Sequence, residues 1–363
     1  MREGIRLMKV FITGGAGFIG SHAAEYYARS GNNVVIYDNL SRSKLFGYFS
    51  DCDQNIRYLR QYSNVKFVEG DVLDYEKLKN SLEGAELVIH AAAQTAVTAS
   101  CKDPITDFSI NANGTLNLLE AARQQIQPPT LIYCSTNKVY GENVNQIQLR
   151  EKTTRYEFDD SAYQKGIHET FGIDLCGHSP YGCSKLSADL YMQDYARHYN
   201  LKIGVFRLSC VYGPRQFGVE DQGWLSWFAI ATHMGKPIVF YGDGKQARDV
   251  LFISDLLEAF NAFVTEDIPH QVFNLGGGSQ NTLSLIELVN LLQKLTSKKS
   301  QIQYSDWRLH DQKVYVTDIR KANHILGWSP KVSVEEGVQK LTEWIQANEN
   351  LFSEKIICHS RTF

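Results

Sequence analysis

The chain has 363 residues, of which 43% are hydrophobic, and its 37 basic and 40 acidic residues give a net charge of −3. This balance argues against a nucleic-acid-binding or anionic-membrane-binding surface. The sequence also contains no apolar run of about 18 residues, the length that a membrane-spanning helix requires. The seven cysteines form no Cys-x-x-Cys pair and the ten histidines show no metal-ligand spacing, so we expect free thiols in a reducing cytoplasm and no bound metal.

The first elements predict a β-α-β unit. Residues 9–13 read as a strand, a helical pattern follows, and residues 34–37 read as a second strand that Asp38 closes. The turn between strand and helix carries glycines at three-residue spacing, at Gly14, Gly17 and Gly20. Such glycines let the backbone approach a pyrophosphate at a helix N-terminus, and an acid after the second strand can accept a hydrogen bond from a ribose 2′-hydroxyl. The unit therefore predicts a dinucleotide site that favours NAD, because Asp38 would repel the 2′-phosphate of NADP.

The alternation of strands and helices continues along the first half of the chain. After a polar connection at residues 40–64 whose pattern is compatible with a helix, strands are predicted at residues 65–68, 86–90 and 130–134, and helices at residues 75–82 and 111–122. This order predicts a parallel sheet covered on both faces, with a ligand in the crevice at the carboxyl ends of its strands. Asp71 follows the third strand, where it could lie beside an adenine or cap the next helix. Small residues after the fourth strand, Ala91, Ala92 and Ala93, leave room for a pyrophosphate or for helix packing.

The alternation becomes less regular in the second half. Residues 142–177 form a long polar connection, and residues 242–249 read as a turn that carries cations. Helices are predicted at residues 179–198, 222–234, 255–264, 283–295 and 334–347, and strands at residues 203–208 and 238–241. The glycine turn at residues 274–278 follows a strand but has no β-α-β context, so we interpret it as a loop.

These elements predict an α/β fold: a Rossmann-type doubly wound parallel sheet with a smaller C-terminal α/β substrate-binding lobe. We expect residues 8–178 to form the core of the dinucleotide-binding domain, residues 179–210 to return a helix and a strand to it, and residues 211–352 to form mainly the substrate-binding lobe. Residues 1–7 and 353–363 are expected to be loose termini.

Tyr181 and Lys185 form the second strong signal. They lie four residues apart on a predicted helix and therefore share one face. A neighbouring ammonium, aided by a positively charged nicotinamide, would lower the pKa of the phenol from about 10 and let tyrosinate act as a base. Thr136, at the end of the fifth strand, can hydrogen-bond the same substrate oxygen. Such a pair is common on helices by chance, and it becomes specific only downstream of a dinucleotide turn.

Several motifs, in the same order along the chain, resemble the extended short-chain dehydrogenase/reductase family of nucleotide-sugar epimerases and dehydratases. They are Gly14-x-x-Gly17-x-x-Gly20, Asp38-Asn39-Leu40, Asp71-Val72, Ala91-Ala92-Ala93, Asn111-x-x-Gly114-Thr115, Ser135-Thr136, Val139-Tyr140-Gly141 and Tyr181-x-x-x-Lys185. The resemblance implies bound NAD and a homodimer or homotetramer, often paired through helices near Asn111 and Tyr181.

The resemblance also implies roles for individual residues. The catalytic residues would be Thr136, Tyr181 and Lys185. The cofactor contacts would come from Gly14, Gly17, Phe18, Ile19, Asp38, Asn39, Asp71, Val72, Ala91, Ala92, Ala93, Asn111, Tyr181 and Lys185. The substrate contacts would come from Asn137, Lys138, Arg215, Gln216, Arg248, Arg308 and Asp311. Within this last group Arg248, Arg308 and Asp311 would hold the diphosphate and ribose, although solvated surface charges are an equally simple interpretation of the arginines.

The residues after Thr136 distinguish the branches of this family. Where 4,6-dehydratases have Asp-Glu for water elimination, this chain has Asn137-Lys138, which cannot supply an acid and a carboxylate base; Lys138 also argues against decarboxylation of a uronic acid. Longer strings, including 178–185, 212–217, 221–224 and 244–250, closely resemble the CDP-paratose 2-epimerase branch, although Cys210 replaces the Asn that is common in the wider family. This resemblance implies a cytoplasmic enzyme that epimerises a CDP-sugar at C2 through transient oxidation by tightly bound NAD+, for cell-surface polysaccharide (O-antigen) synthesis. A UDP-hexose 4-epimerase acting on a UDP-sugar and a non-catalytic NAD(H)-binding regulator stay as alternatives.

Overall fold

The computed structural model of the chain describes residues 7–42, 51–308 and 311–353, so most of the two expected loose termini lies outside the described residues. The strands are β1 (Lys9–Thr13), β2 (Asn33–Asp38), β3 (Val65–Glu69), β4 (Leu87–His90), β5 (Thr130–Thr136), β6 (Leu149–Glu151), β7 (Tyr156–Phe158), β8 (Ile203–Leu208), β9 (Cys210–Tyr212), β10 (Ile238–Tyr241), β11 (Ala247–Phe252), β12 (His270–Leu275), β13 (Thr282–Ser284), β14 (Ile302–Ser305) and β15 (Val314–Tyr315).

The helices alternate with these strands. They are α1 (Phe18–Arg29), α2 (Asp51–Leu59), α3 (Tyr75–Leu82), α4 (Val97–Lys102), α5 (Pro104–Phe108), α6 (Gly114–Arg123), α7 (Ser179–His198), α8 (Trp224–His233), α9 (Ile253–Thr265), α10 (Leu285–Thr296), α11 (Arg320–Leu326), α12 (Val334–Ala347) and α13 (Asn350–Ser353). A π-helical turn (Ser109–Asn113) joins α5 to α6, and 3₁₀ segments occur at Asn137–Gln146, Ser161–Tyr163 and Ser279–Asn281. In the described part of the chain, no helix has the length and apolar character that crossing a membrane requires.

A seven-stranded sheet in the order β12-β8-β5-β4-β1-β2-β3 forms the centre of the molecule. All of its neighbouring strands are parallel, which confirms the predicted Rossmann-type α/β fold. From β1 the chain builds outward to β3 and then returns to β4 and builds in the other direction. The strand order therefore reverses between β1 and β4, and a ligand crevice is expected at the carboxyl ends of these strands.

Apolar side chains cover both faces of this sheet. Along β1, Val10 and Ile12 join one buried cluster while Phe11 joins the other, because successive side chains of a strand point to opposite faces. The first cluster continues into residues of α8, α9 and α10. The second lobe is thus packed onto the sheet through a shared core.

Two strands of the second half correct the predicted organisation. β12 is the edge strand next to β8, so the segment 211–352 also contributes a strand to the central sheet; residues 276–278 after it do form a loop. The prediction of a turn throughout residues 242–249 is wrong, because β11 begins at Ala247 and all six of its residues are buried. Its polar residues concealed the strand: Arg248 and Asp249 are buried with hydrogen-bonding partners.

Candidate active site

A cavity of about 370 Å³ lies at the carboxyl ends of the strands where the sheet order reverses. Among the residues predicted from the sequence, its lining contains Gly14, Gly17, Phe18, Ile19, Asp38, Asn39, Asp71, Val72, Ala91, Ala92, Ala93, Thr136, Tyr181, Lys185 and Gln216. The structure thus brings most predicted cofactor residues and all three predicted catalytic residues to one place. Their individual roles stay predictions.

The glycine turn forms a tight cradle at one end of this cavity. Gly14 has a φ of +66°, and a Cβ there would lie 2.6 Å from the backbone nitrogen of Ala92. A Cβ on Gly20 would lie 2.2 Å from the carbonyl oxygen of Gly14, so α1 can pack this closely only without a side chain. The helix begins after Gly17 with no side-chain cap, which leaves its first N–H groups available to an anion. This arrangement fits the pyrophosphate of a dinucleotide.

Asp38, Asn39 and Asp71 are among the polar residues that line the cavity beyond β2 and β3. The Asp38 carboxylate accepts hydrogen bonds from the backbone N–H groups of Ala16 (3.0 Å) and Leu40 (2.8 Å), which fix its position. Asn39 donates to Asp71 over 2.8 Å. Asp71 does not cap the next helix: Asp74 is the N-cap of α3 and accepts from the N–H of Lys77. The sequence left two roles open for Asp71, a helix cap and a position beside an adenine. The cap is thus excluded, and the position beside an adenine stays a prediction.

Tyr181 lies near the start of α7, beside Thr136 at the end of β5. The phenol is 9% exposed; burial raises its pKa to about 12, while a hydrogen bond with Thr136 opposes that increase. The lowering of the Tyr181 pKa that the sequence predicted is therefore not present in the chain alone. Burial, which disfavours the phenolate, outweighs the other influences on this side chain.

Lys185 lies one helical turn after Tyr181 and is 3% exposed. Its Nζ donates to the carbonyl of Cys134 over 2.7 Å and lies 4.3 Å from the centre of the Tyr133 ring. Burial lowers the pKa of this ammonium to about 8. The backbone carbonyl of Cys134 and the face of the Tyr133 ring thus stabilise the positive charge of Lys185 at the base of the cavity.

Asn111 lies behind the cavity rather than in its lining. It occupies the π-helical turn, its Oδ1 accepts from the N–H of Gln94 (2.9 Å), and its Nδ2 donates to Asp107 and Ser184. Asn111 therefore joins α7 to the segment after β4. A direct contact with the cofactor stays a prediction.

The predicted substrate residues do not all lie together. Lys138 and Arg248 share the carboxylate of Asp311, at 3.8 and 2.7 Å. These three residues are not in the cavity lining, but both cations lie near Cys210, which is. Arg308 instead pairs with Asp221 at 2.9 Å and lies 4.0 Å above the Tyr241 ring.

Arg215 lies farthest from the expected position. It is buried against α1, where it pairs with Glu25 at 2.7 Å and stacks on Tyr58 at 4.0 Å, so the structure does not bring it to the cavity. Asn137 is buried and accepts a hydrogen bond from Thr136 over 3.3 Å. Gln216 reaches the cavity lining, and its side chain donates to the carbonyl of Val211 over 3.1 Å.

Sequence reasoning missed part of the lining that the second lobe contributes. This part includes Ser209, Cys210, Tyr212, Gln222, Gly223 and Trp224. Two signals pointed there: β8 ends at the same edge of the sheet as β5, and the string 221–224 was one of those that carried the resemblance. The described residues hold no cluster of three or more metal-ligating side chains, and Cys101, Cys134, Cys176, Cys183 and Cys210 are free thiols.

Comparisons with known proteins place this geometry in context. The family model described as GDP-mannose 4,6 dehydratase matches residues 11–341. The chain is 40% identical to the CDP-paratose 2-epimerase of Salmonella typhi over 93% of its length and 99% of that protein. The solved UDP-glucose 4-epimerase of Thermotoga maritima with UDP-glucose superposes with a TM-score of 0.78 at 31% identity, covering 94% of this chain and 100% of that one. UDP-glucuronic acid 4-epimerase of Bacillus cereus, in complex with UDP-glucuronic acid and NAD, has a TM-score of 0.78 at 28% identity, covering 94% and 99%.

Proposed function

Because the chain belongs to the GDP-mannose 4,6-dehydratase family of NAD-dependent nucleotide-sugar epimerases and dehydratases, we propose that it is an epimerase that converts CDP-paratose to CDP-tyvelose at C2. The observation that carries this choice is the pair of residues after Thr136. Asn137 and Lys138 occupy the position at which an eliminating enzyme needs two carboxyl groups, and Lys138 is paired with Asp311. The similarity to the Salmonella epimerase supports a CDP-sugar as the substrate and C2 of the sugar as the carbon that is epimerised.

The residues of the cavity suit NAD as the resident cofactor. The uncapped start of α1 and the glycine cradle would hold the pyrophosphate, and Asp38 would accept from the adenosine ribose. When bound, NAD+ supplies a hydride acceptor and a positive charge beside the phenol. That charge opposes the burial that raises the pKa of Tyr181 to about 12.

The chain's own residues would move the proton. Tyr181 takes the proton of the sugar hydroxyl, Thr136 hydrogen-bonds the same oxygen, and the ammonium of Lys185 stabilises the tyrosinate. After the oxidised sugar has turned over, Tyr181 returns the proton to the new hydroxyl. Lys138 and Arg248 would hold the diphosphate while the oxidised sugar rotates. The two cations share only one carboxylate, that of Asp311, so a net positive charge is left for the diphosphate.

Purified protein incubated with CDP-paratose, and followed at the sugar's 2-position by NMR, tests the substrate. We expect conversion to CDP-tyvelose without added NAD. Clear turnover of UDP-galactose with none of CDP-paratose would favour the UDP-hexose 4-epimerase, which the Thermotoga relative makes the second candidate.

Replacing Tyr181 with Phe separates an enzyme from a silent NAD(H)-binding regulator. The change removes only the phenolic oxygen, so we expect turnover to fall by about 10³-fold while NAD stays bound. Unchanged turnover in this variant would contradict the role of Tyr181. The cytoplasmic location and supply of a deoxysugar to cell-surface polysaccharide are parts of the same proposal, supported by the free thiols of Cys101, Cys134, Cys176, Cys183 and Cys210 and by the Salmonella relative.

A further inference from the structure

A row of buried polar side chains lies beneath α7. Ser135 of β5, Arg207 of β8 and Asn274 of β12 are neighbours in the sheet register, and they are 3%, 3% and 0% exposed. Polar residues in the centre of a parallel sheet are costly unless they are paired. Asp189 of α7, itself 0% exposed, is the helix partner of Ser135 and Arg207, while Asn274 accepts a hydrogen bond from the Tyr140 hydroxyl.

Asp189 connects the helix to two strands. Its carboxylate accepts from the Ser135 hydroxyl over 2.6 Å and from Nε and Nη2 of Arg207, both over 3.0 Å. Nη1 of Arg207 continues to the hydroxyl of Tyr140 over 3.1 Å. The fork-like pairing of a guanidinium with a carboxylate fixes orientation as well as distance, so α7 can take only one position along the sheet.

Both ends of this connection lie next to the reacting groups. Ser135 immediately precedes Thr136, and Asp189 lies one turn after Lys185 on the same helix. The groups that face Lys185 are Asp189 on its own helix, Asp107 from α5, and Cys134, Tyr133 and His90 from the sheet. His90 is fully buried and neutral at physiological pH, since burial and Lys185 lower its pKa to about 3. The negative charges near this ammonium therefore come from the two aspartates.

We propose that Asp189 is a positioning residue for catalysis: it holds α7 in register with Thr136 through Arg207 and Ser135, and its charge keeps Lys185 protonated. This inference rests on the proposed roles of Tyr181 and Lys185. Asp189 balances the positive charge of Arg207. Without Asp189, Arg207 would be an unpaired cation in the same buried layer as Lys185 and would disfavour the charged form of Lys185.

The test compares three variants. Asp189→Asn keeps the shape but removes the charge, and we expect the alkaline limb of the kcat profile to move down by about one pH unit. Asp189→Glu keeps the negative charge, so the alkaline limb should lie at the wild-type pH. The longer side chain places the carboxylate differently, so kcat should still be reduced. Asp189→Asn combined with Arg207→Gln removes both charges, so the limb should lie within about 0.3 unit of the wild type while kcat falls at least about tenfold.

Asp255→Asn provides the matched control, because Asp255 is another helical aspartate, 2% exposed, that binds the backbone of residues 331 and 332. It should lower thermal stability without moving the limb. An alkaline limb that stays in place in Asp189→Asn would overturn the proposal. If that variant does not fold, wild-type kcat in the charge-neutral double variant would overturn it instead.

A measurement without sugar keeps this test separate from the choice of substrate. In protein carrying ¹³Cε-labelled lysine, the resonance of Lys185 is assigned with Lys185→Met and followed over pH in the NAD-bound enzyme. We expect Asp189→Asn to lower the titration midpoint by about one unit. If the wild type converts none of the sugars, the proposed function fails, while an unmoved midpoint would contradict the role of Asp189.

Discussion

The charge of Lys185 opposes folding. The side chain is 3% exposed, and burial lowers its pKa from 10.5 to about 8, a depression worth about 3 kcal/mol. Between these two pH values the unfolded chain binds more protons than the folded one, so the free energy of unfolding from this group increases as the pH rises from about 8 to 10.5. At pH 7 the whole cost is present. This residue illustrates how an active site can be maintained at the expense of stability.

Replacing Lys185 with Met should therefore stabilise the protein while it abolishes turnover. We expect the free energy of unfolding at pH 7 to rise by about 2 kcal/mol, less than the full depression because the bond to Cys134 and the contact with Tyr133 are lost. Urea denaturation at pH 7 and at pH 10 measures the change, which should shrink at the higher pH. Lys340→Met, at an exposed i,i+4 pair with Glu336, should change stability by less than about 0.5 kcal/mol. A variant less stable than the wild type at pH 7 would contradict the argument.

At the scale of elements, the turn between β1 and α1 depends on Gly14. Gly14 and Gly235 have nearly the same φ, +66° and +64°, but a Cβ on Gly235 would meet nothing within 4 Å. Gly235→Ala should therefore cost only the left-handed strain, about 1 kcal/mol. Gly14→Ala adds a collision with the backbone of Ala92; we expect a loss of about 2–4 kcal/mol and NAD affinity reduced about tenfold or more. Thermal unfolding and NAD titration of both variants check this, and equal losses would exclude the steric explanation.

The elements that the sequence predicted well are those whose pattern is local. β1 and the first four residues of β8 are largely apolar, and the glycine spacing and the Tyr181–Lys185 pair can be read within a few residues. The features that the sequence did not reveal depend on partners distant in sequence. The polar pair in β11, Arg248 and Asp249, is satisfied by Asp311 and Ser209, and Arg215 pairs with Glu25 of α1 outside the cavity lining. The Tyr181 pKa depends on burial, which spacing alone does not reveal.

At the scale of the whole molecule, α5 and α7 leave an unusual amount of apolar surface exposed. Ile105 and Phe108 on α5 are 78% and 47% exposed, and Leu190 and Tyr191 on α7 are 47% and 46% exposed. The two helices are neighbours, since Ser184 of α7 donates to Asp107 of α5. Clustered apolar residues on adjacent helices are typical of protein–protein interfaces. They lie near Asn111 and Tyr181, where the family resemblance predicts that two copies pair.

We therefore expect the protein to form a homodimer or homotetramer through α5 and α7. Ile105→Glu combined with Leu190→Glu would bury four like charges at a two-fold interface, which should shift the sedimenting species to a monomer in analytical ultracentrifugation. The matched control is Ile126→Glu combined with Leu175→Glu, at aliphatic residues outside these helices that are 102% and 99% exposed; it adds the same charge and should leave the assembly intact. A wild type that sediments as a monomer, or an assembly that survives the first pair of changes, would show that the exposed residues of α5 and α7 have another purpose.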